Sequence, residues 1–359
     1  MKKIKICIAL SGGIDSSVAA FLLKKCNFYI EAVFMNNWKT LKNSKCNNQI
    51  DYTNALYICN KLNIKLHFLD FSKEYWNFVF ELFLKELVLG KTPNPDIICN
   101  KKIKFNVLLY FLIKKFNFDF LATGHYCCLK QMDNNIFLQK SFDIIKDQTY
   151  FLNQIKKNVI KNIIFPLSNY SKIEIREIAK KNGLINFNKK NSTGICFIGE
   201  NNFFEFIKKY LNVMCGKIYT NNNIMLGYHN GLYLYTIGQR KHLSIKNNNL
   251  LTIKWYVYKK NIIKNILYVT KNNNFLLFSK KIKVSNVNLI NDKLNTFVCN
   301  IKIRHGFHNT LCLVKKCKNS NFYDVFFKKK QKAISVGQYI VFYNKNVCLG
   351  GALINKVIF

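Results

Sequence analysis

No apolar run in this 359-residue chain reaches the ~18 residues a bilayer-crossing helix needs, so a spanning helix is not expected. Acidic residues are scarce, 18 against 56 basic ones, which leaves a formal net charge of +38. Such a field attracts phosphate and makes any nucleic-acid binding salt-dependent. Arginine is nearly missing too, appearing only as Arg176, Arg240 and Arg304. A Lys excess alongside abundant Asn, Ile and Phe is what mutational drift in an AT-rich genome produces, so charge alone does not identify the partner. Internal repeats are absent, which sets aside solenoids and propellers. The start, Met1 to Leu10, superficially resembles a signal peptide, but its apolar stretch is only a strand long and runs into a glycine loop rather than a cleavage site. The expectation is a cytoplasmic protein with no membrane partner.

What is present is a foldable chain. Hydrophobic residues make up 49% and aromatic residues 15%, which excludes disorder, and the length suits two or three domains. The 13 cysteines are an odd number in a long chain with no secretion signal, so most are expected to be reduced, buried and apolar in behaviour.

The first third alternates strand and helix. Ile4–Leu10, Ile30–Met35, Lys65–Leu69 and Phe120–Ala122 read as buried strands, with helices at Ser16–Cys26, Asn54–Leu62, Glu74–Leu89 and Phe105–Phe116. Repeated β-α units predict an α/β domain with a doubly wound parallel sheet over 1–150. A small helical middle domain is expected over 151–212, where Ser171 and Glu174 form a capping box ahead of a helix that stops at Gly183. Beyond it, short runs at Leu232–Ile237, Trp255–Tyr258, Ile266–Thr270, Lys302–Arg304, Asp324–Phe327 and Tyr339–Tyr343 predict an all-β barrel domain over 213–359.

Chemistry is concentrated in a few stretches. Ser11-Gly12-Gly13-Ile14-Asp15-Ser16-Ser17 lies between a strand and a helix, where unobstructed N–H groups and the positive end of a helix can cradle phosphate. It lacks the Gly-Lys-Ser/Thr ending of the ordinary P-loop. Asp15 suits a magnesium ion or a helix N–H, and the plainer alternative is a glycine turn capped by Asp15 or Ser16. Two cysteines stand in distinctive settings, Cys99 after Asn94-Pro95-Asp96 and Cys196 after Ser192-Thr193-Gly194-Ile195. A nucleotide-activating loop plus two placed thiols points to sulfur transfer. Asp96 also reads as a cap for a helix beginning near Ile97. His305, His308, Cys312 and Cys317 mimic zinc spacing, but Leu311–Val314 reads as a strand, so no metal site is expected there. Lys328–Lys332 reads as a solvated loop.

In these stretches the chain resembles the tRNA-specific 2-thiouridylase family, with ATP-pyrophosphatase-type Ser11–Ser17 joined by Phe34–Trp38, Thr92–Asn100, Ala122–Tyr126, Lys146–Gln148, Ser192–Glu200 and Thr236–Arg240, and the likeness extends to Gly350-Gly351. The resemblance implies ATP and Mg2+ as cofactors and 2-thiolation of the wobble uridine of tRNA, with Glu, Gln and Lys acceptors as substrates. It implies adenylation of the uridine 2-oxygen, a persulfide on Cys196 supplied by a sulfur-donor protein, and Cys99 as the second catalytic cysteine, able to form a disulfide with Cys196. Asp96 becomes a candidate general acid or base. Ala9, Leu10, Ser11, Gly12, Gly13, Ile14, Asp15, Ser16, Met35 and Gly124 would line the ATP site. Asn94, Pro95, Asp96, His125, Lys146, Asp147, Gln148, Arg304, His305 and Gln338 would meet tRNA, with His305 standing where Tyr is expected. Two other readings stay open: a small-molecule ligase of the same loop type, and a non-catalytic RNA-binding protein.

Overall fold

The computed structural model describes residues 3–38, 47–184, 203–243, 245, 254–272, 274–291, 294–306 and 310–359. Strand β1 (Lys5–Ala9) leads into helix α1 (Ile14–Lys25), then β2 (Tyr29–Asn36), α2 (Asn47–Leu62) and β3 (Leu66–Asp70). Helical runs over 72–88 and 95–115 precede β4 (Phe120–Thr123). A hairpin, β5 (Cys127–Met132) and β6 (Asn135–Lys140), follows, and a short strand β7 (Ile163–Ile164) comes after it. The parallel sheet runs β3-β2-β1-β4-β7.

The β1 sequence Lys-Ile-Cys-Ile-Ala explains its central place. Ile6, Cys7 and Ile8 are all fully buried, as a strand covered by helices on both faces requires. Ile6 and Ile8 pack with Val18 and Ala19 of α1 and with Ile175 and Ala179 of the helix Lys172–Lys181. Cys7, one residue out of phase, faces Val79, Phe83, Ile103 and Leu112 on the other side. The expected double winding is present.

The helices expected over 151–212 are found at Lys157–Ile160, Lys172–Lys181 and Phe203–Lys208, but two elements of this stretch complete the first layer rather than standing apart. β7 pairs with β4, and the Lys172–Lys181 helix covers α1. The small unit that follows is a four-stranded sheet, β8 (Gly216–Thr220), β9 (Met225–His229), β10 (Trp255–Asn261) and β11 (Ile266–Lys271), in the order β10-β11-β8-β9. Its expected strand at Leu232–Ile237 is instead a single tight turn, Leu232–Leu234.

The last part is a barrel of β12 (Phe278–Leu289), β13 (Thr296–Lys302), β14 (Thr310–Lys316), β15 (Tyr323–Lys332), β16 (Tyr339–Asn344) and β17 (Val347–Ile358). Pairing of β12 with β17 closes the ring, which removes exposed edges. Two local expectations change here. Lys328–Lys332 is the end of strand β15 and not a loop, because Gln331 and Lys332 pair with Ser279 and Phe278. Arg304 lies beyond β13, which ends at Lys302. The β5–β6 hairpin of the first domain also joins the barrel sheet, through Gln139 opposite Val347. Among the described residues no helix is long and apolar enough to cross a membrane.

Candidate nucleotide and sulfur-transfer site

β1 delivers buried Leu10 to the turn Ser11-Gly12-Gly13, and α1 starts at once. The residue capping α1 is Gly13, with no side-chain cap, so the reading of Asp15 or Ser16 as the cap is corrected. The hydroxyls of Ser16 and Ser17 donate back to the Gly13 carbonyl at 3.0 and 2.9 Å, and Ser16 Oγ accepts from the Ser11 N–H at 3.2 Å. The serines therefore brace the turn, and the capping residue, Gly13, has no side chain to cover the helix start.

Glycine lets neighbouring backbone pack closely around that helix end. A Cβ on Gly124 would sit 2.7 Å from the Ser16 nitrogen, and Gly12, at φ +69°, would press one to 2.2 Å from the Asp51 carbonyl oxygen. Ala9 ends β1 beside Thr123 at the end of β4, and Met35 lies near the end of β2 opposite Leu69. Ala9 to Ser16, Met35 and Gly124 thus gather at the carboxyl edge of the parallel sheet, where open α/β sheets bind ligands. At this edge the Thr123 hydroxyl is buried without a hydrogen-bond partner. A helix that starts on glycine and an orphaned hydroxyl beside it fit the phosphates and sugar of a nucleotide.

Asp15 is engaged rather than open. Its Oδ1 accepts from the Tyr126 hydroxyl at 2.7 Å and from the Lys172 ammonium at 2.5 Å. Both bonds fall on one oxygen, which leaves Oδ2 as the one able to face a magnesium ion. Magnesium commonly takes one or two carboxylates plus substrate phosphates, so a single carboxylate here suits it. No group of three or more metal-ligating side chains occurs among the described residues, and His308 of the zinc-like spacing lies outside them.

The second cluster is built on the helix Pro95–Cys99. Asn94 caps it, accepting from the Ile97 N–H at 3.2 Å, with Pro95 in the first helical position. Asp96 is therefore a first-turn residue and not the cap. Burial pushes its carboxyl above the usual range, against the pull of the Lys104 ammonium. Cys99 ends this helix and is 8% exposed, so it occupies a buried helical position. Cys196 and the whole Ser192–Glu200 stretch lie outside the described residues.

The chain after Cys99 continues as a widened helix, Asn100–Leu108, whose Lys104 reaches His125 Nε2 at 3.1 Å. His125 Nδ1 meets Gln148 Oε1 at 3.0 Å, and the same oxygen accepts from the Tyr126 N–H at 3.2 Å. An oxygen that accepts a backbone N–H can only accept from the imidazole as well, so His125 carries its proton on Nδ1. Burial first, then the Lys104 charge, push His125 down to about 3, with the Gln148 bond opposing. The imidazole is neutral.

The other expected RNA-facing residues divide. Asp147 is buried in an ion pair with Lys302 at 2.9 Å and also accepts from the Thr149 hydroxyl, so its carboxylate does not face solvent. His305 is exposed, donates to the Asp147 carbonyl at 3.1 Å and leans on the Phe151 ring at 4.9 Å. Arg304 is exposed and bonds the Ala333 carbonyl, while Lys146 is half-buried with its N–H on Asp143. Gln338 donates to the Thr92 carbonyl at 2.8 Å, and the Thr92 N–H donates to Val336 at 2.8 Å. The barrel thereby grips the loop that leads into Asn94.

Lys104, Thr123, Tyr126, Lys172 and Lys302 went unmarked in the sequence reading. Of these, Thr123 and Tyr126 lie inside the Ala122–Tyr126 stretch already singled out, and Lys104 lies just beyond Thr92–Asn100. Lys172 and Lys302 reach Asp15 and Asp147 across more than 150 positions, a pairing that no local pattern displays.

Family models match the chain in three consecutive blocks. These are a "tRNA methyl transferase HUP domain" over 4–200, a "tRNA methyl transferase PRC-barrel domain" over 204–271 and an "Aminomethyltransferase beta-barrel domain" over 279–354. The tRNA-specific 2-thiouridylase MnmA of Buchnera aphidicola from Schizaphis graminum is 44% identical over 99% of this chain and 98% of its own length. That of Mycoplasma capricolum is 42% identical over 99% and 100%, and that of Legionella pneumophila strain Lens 41% over 99% and 99%. A solved U34-tRNA thiolase from Methanococcus maripaludis shares 22% identity over 54% of this chain and 61% of its own, at a TM-score of 0.36, a likeness too low to carry an argument. With full-length identity above 40% and three family blocks in order, the chain belongs to the tRNA-specific 2-thiouridylase family.

Proposed function

We propose that the protein is a tRNA-uridine 2-sulfurtransferase that uses ATP to replace the 2-oxygen of the wobble uridine with sulfur. The observation that carries this reading is the full-length likeness to named 2-thiouridylases, joined to a helix that starts on a glycine turn and a cysteine on the Pro95–Cys99 helix.

The chemistry runs in two stages. The uridine 2-oxygen attacks the α-phosphorus of ATP and pyrophosphate leaves, which converts a poor leaving group into AMP. The α1 start, on the turn of Gly12 and Gly13, would bind the phosphates through backbone N–H groups, and Thr123 would give its hydroxyl to the nucleotide. A magnesium ion held at Asp15 would offset phosphate charge. In the second stage a Cys196 persulfide supplies sulfur. Attack by the Cys99 thiolate on the inner sulfur forms a Cys99–Cys196 disulfide and releases hydrosulfide, which adds to C2 as AMP departs. A thiol reductant then restores both cysteines. Asp96, held beside Cys99, would move the proton, and Asn94 to Asp96 would contact the target base. His125, Lys146 to Gln148, Arg304, His305 and Gln338 would form the RNA-facing rim. A single-stranded loop with splayed bases suits such a site better than a duplex groove. The sulfur donor would be a persulfide-bearing protein, and Glu, Gln and Lys tRNAs the acceptors.

The test is mass spectrometry of nucleosides from tRNA incubated with protein, ATP, magnesium and a persulfide source. An oxygen-to-sulfur mass shift at the wobble uridine, lost without ATP and in Cys196→Ser, is the expected result. Well-folded protein that consumes ATP without thiolating tRNA would instead favour a small-molecule ligase.

A further inference from the structure

We propose that Lys104 is a positioning residue of this reaction: its ammonium, carried on the widened helix that follows Cys99, occupies Nε2 of the His125 imidazole that Gln148 holds in the Nδ1–H form, keeps that ring neutral and sets the charge seen by Asp96.

The argument begins with helix geometry. Asp96 and Lys104 are eight residues apart, which in an unbroken α-helix of 3.6 residues per turn is a little over two turns and leaves them about a fifth of a turn out of line. From Asn100 the helix widens, with Phe105 at φ −98° and ψ 19° outside helical values. Wider turns take up the excess, so Lys104 comes round to the side of Asp96, and its charge acts on that carboxyl. Widened turns are costly and tend to be kept where a side chain must be re-aimed.

The second step is the chain of bonds. Lys104 can only donate, so His125 Nε2 must accept, and Gln148 Oε1 fixes the proton on Nδ1 from the other side. Around the imidazole stand the Lys104 ammonium, the Gln148 amide and the rings of Phe105 and Phe165, at 6.0 and 6.3 Å. No carboxylate appears among these contacts, so Lys104 is the charge that governs the ring. One cation thus addresses two groups of the site, a carboxyl beside Cys99 and an imidazole on the RNA-facing rim. Removing it frees Nε2 to take a proton, relieves the repulsion that keeps the ring neutral and deprives Asp96 of its attracting charge.

The inference rests on the thiouridylase reading for its consequence but not for its geometry, and the test separates the two. In protein labelled with 15N-histidine, correlation spectra of the wild type are expected to show a bare Nε2 and a protonated Nδ1 on His125 from pH 5 to 8. In Lys104→Met the imidazole titrates at least about one unit higher, while Gln148 keeps the neutral ring in its Nδ1–H form. Single-turnover thiolation by this variant slows about tenfold, and the acid limb of its pH–rate profile moves up. The KM for tRNA stays within about twofold, and Lys104→Arg recovers most of the rate. A folded Lys104→Met protein with unchanged His125 titration and unchanged pH profile would overturn the proposal. Should that variant not fold, the wild-type spectrum still decides, because a protonated Nε2 overturns it. Wild-type protein that gives no thiolated tRNA counts against the function and leaves the tautomer measurement standing.

Discussion

Asp147 and Lys302 form an ion pair 2.9 Å long in the interior, between the segment that leads out of the β5–β6 hairpin and the last residue of barrel strand β13. Thr149 bonds both carboxylate oxygens and in turn meets the Tyr343 hydroxyl at 3.1 Å, so the pair sits in a satisfied polar network. The nucleotide domain and the barrel are therefore pinned by a charge pair that neither can lose alone. Removing one partner of a buried pair costs about 3–5 kcal/mol, because the other charge stays buried and uncompensated. Lys302→Met is expected to lower urea stability by that order, and Asp147→Asn combined with Lys302→Met to recover much of it. A double variant as unstable as the sum of its singles would show that the two residues act independently.

Gly124→Ala tests the close backbone approach at the start of α1. A methyl group 2.7 Å from the Ser16 nitrogen must displace backbone. ATP binding is expected to weaken at least about tenfold, the equivalent of one hydrogen bond to a charged group. Binding of tRNA, followed by fluorescence anisotropy, should not change. Wild-type ATP affinity in the alanine variant would remove this edge of the sheet from the nucleotide site.

His125 makes stability depend on pH in a definite direction. Its ordinary value is 6.5 and its folded value about 3, so between these the unfolded chain binds a proton that the folded chain does not. Stability from this group is complete above pH 6.5 and drains away as pH falls towards 3. Urea unfolding at pH 7, 6, 5 and 4 should show a slope against pH that His125→Gln reduces by about one proton in that window. Identical slopes in the two proteins would mean the ring titrates normally when folded.

Asn94→Ala removes the cap of the Pro95–Cys99 helix. The expected loss is about 1 kcal/mol of stability. The thiolation rate should fall further than stability does, because this helix carries both Asp96 and Cys99. Asn94→Ser, which keeps a capping oxygen, should restore both. If the serine variant fails as badly as alanine, Asn94 acts by some route other than capping.

Much of this architecture can be read from local pattern. Strand β1, the glycine turn and α1 follow from a β-branched run meeting Ser11-Gly12-Gly13, and the Ser171–Glu174 capping box stands as the spacing predicts. The misread positions are those where distant residues decide. Lys328–Lys332 looks like a solvated loop until β12 is available to pair with it. Asp96 looked like a cap, although Pro95 in the first helical position marks Asn94 for that role. For Cys99 the motif located the residue but not its depth, because burial depends on the helices of 72–88 and 95–115 packed around it. β7 joins the first sheet by pairing that a two-residue strand cannot announce.

The β5–β6 hairpin has a consequence for synthesis. It is complete by Lys140, yet the strand residue that meets it, Val347, leaves the ribosome some two hundred residues later. At an elongation rate of about 5–20 residues per second, the outer backbone of β6 waits roughly 10–40 s for its neighbour. Its centre is Ile136-Phe137-Leu138, the composition that recruits stray strands from other nascent chains. Lys140 flanks that centre, and once the barrel arrives its N–H and ammonium bond the carbonyls of Asn346 and Lys345. During the wait the same charge can only repel other cationic chains, so the residue that later fastens the hairpin first serves as its guard.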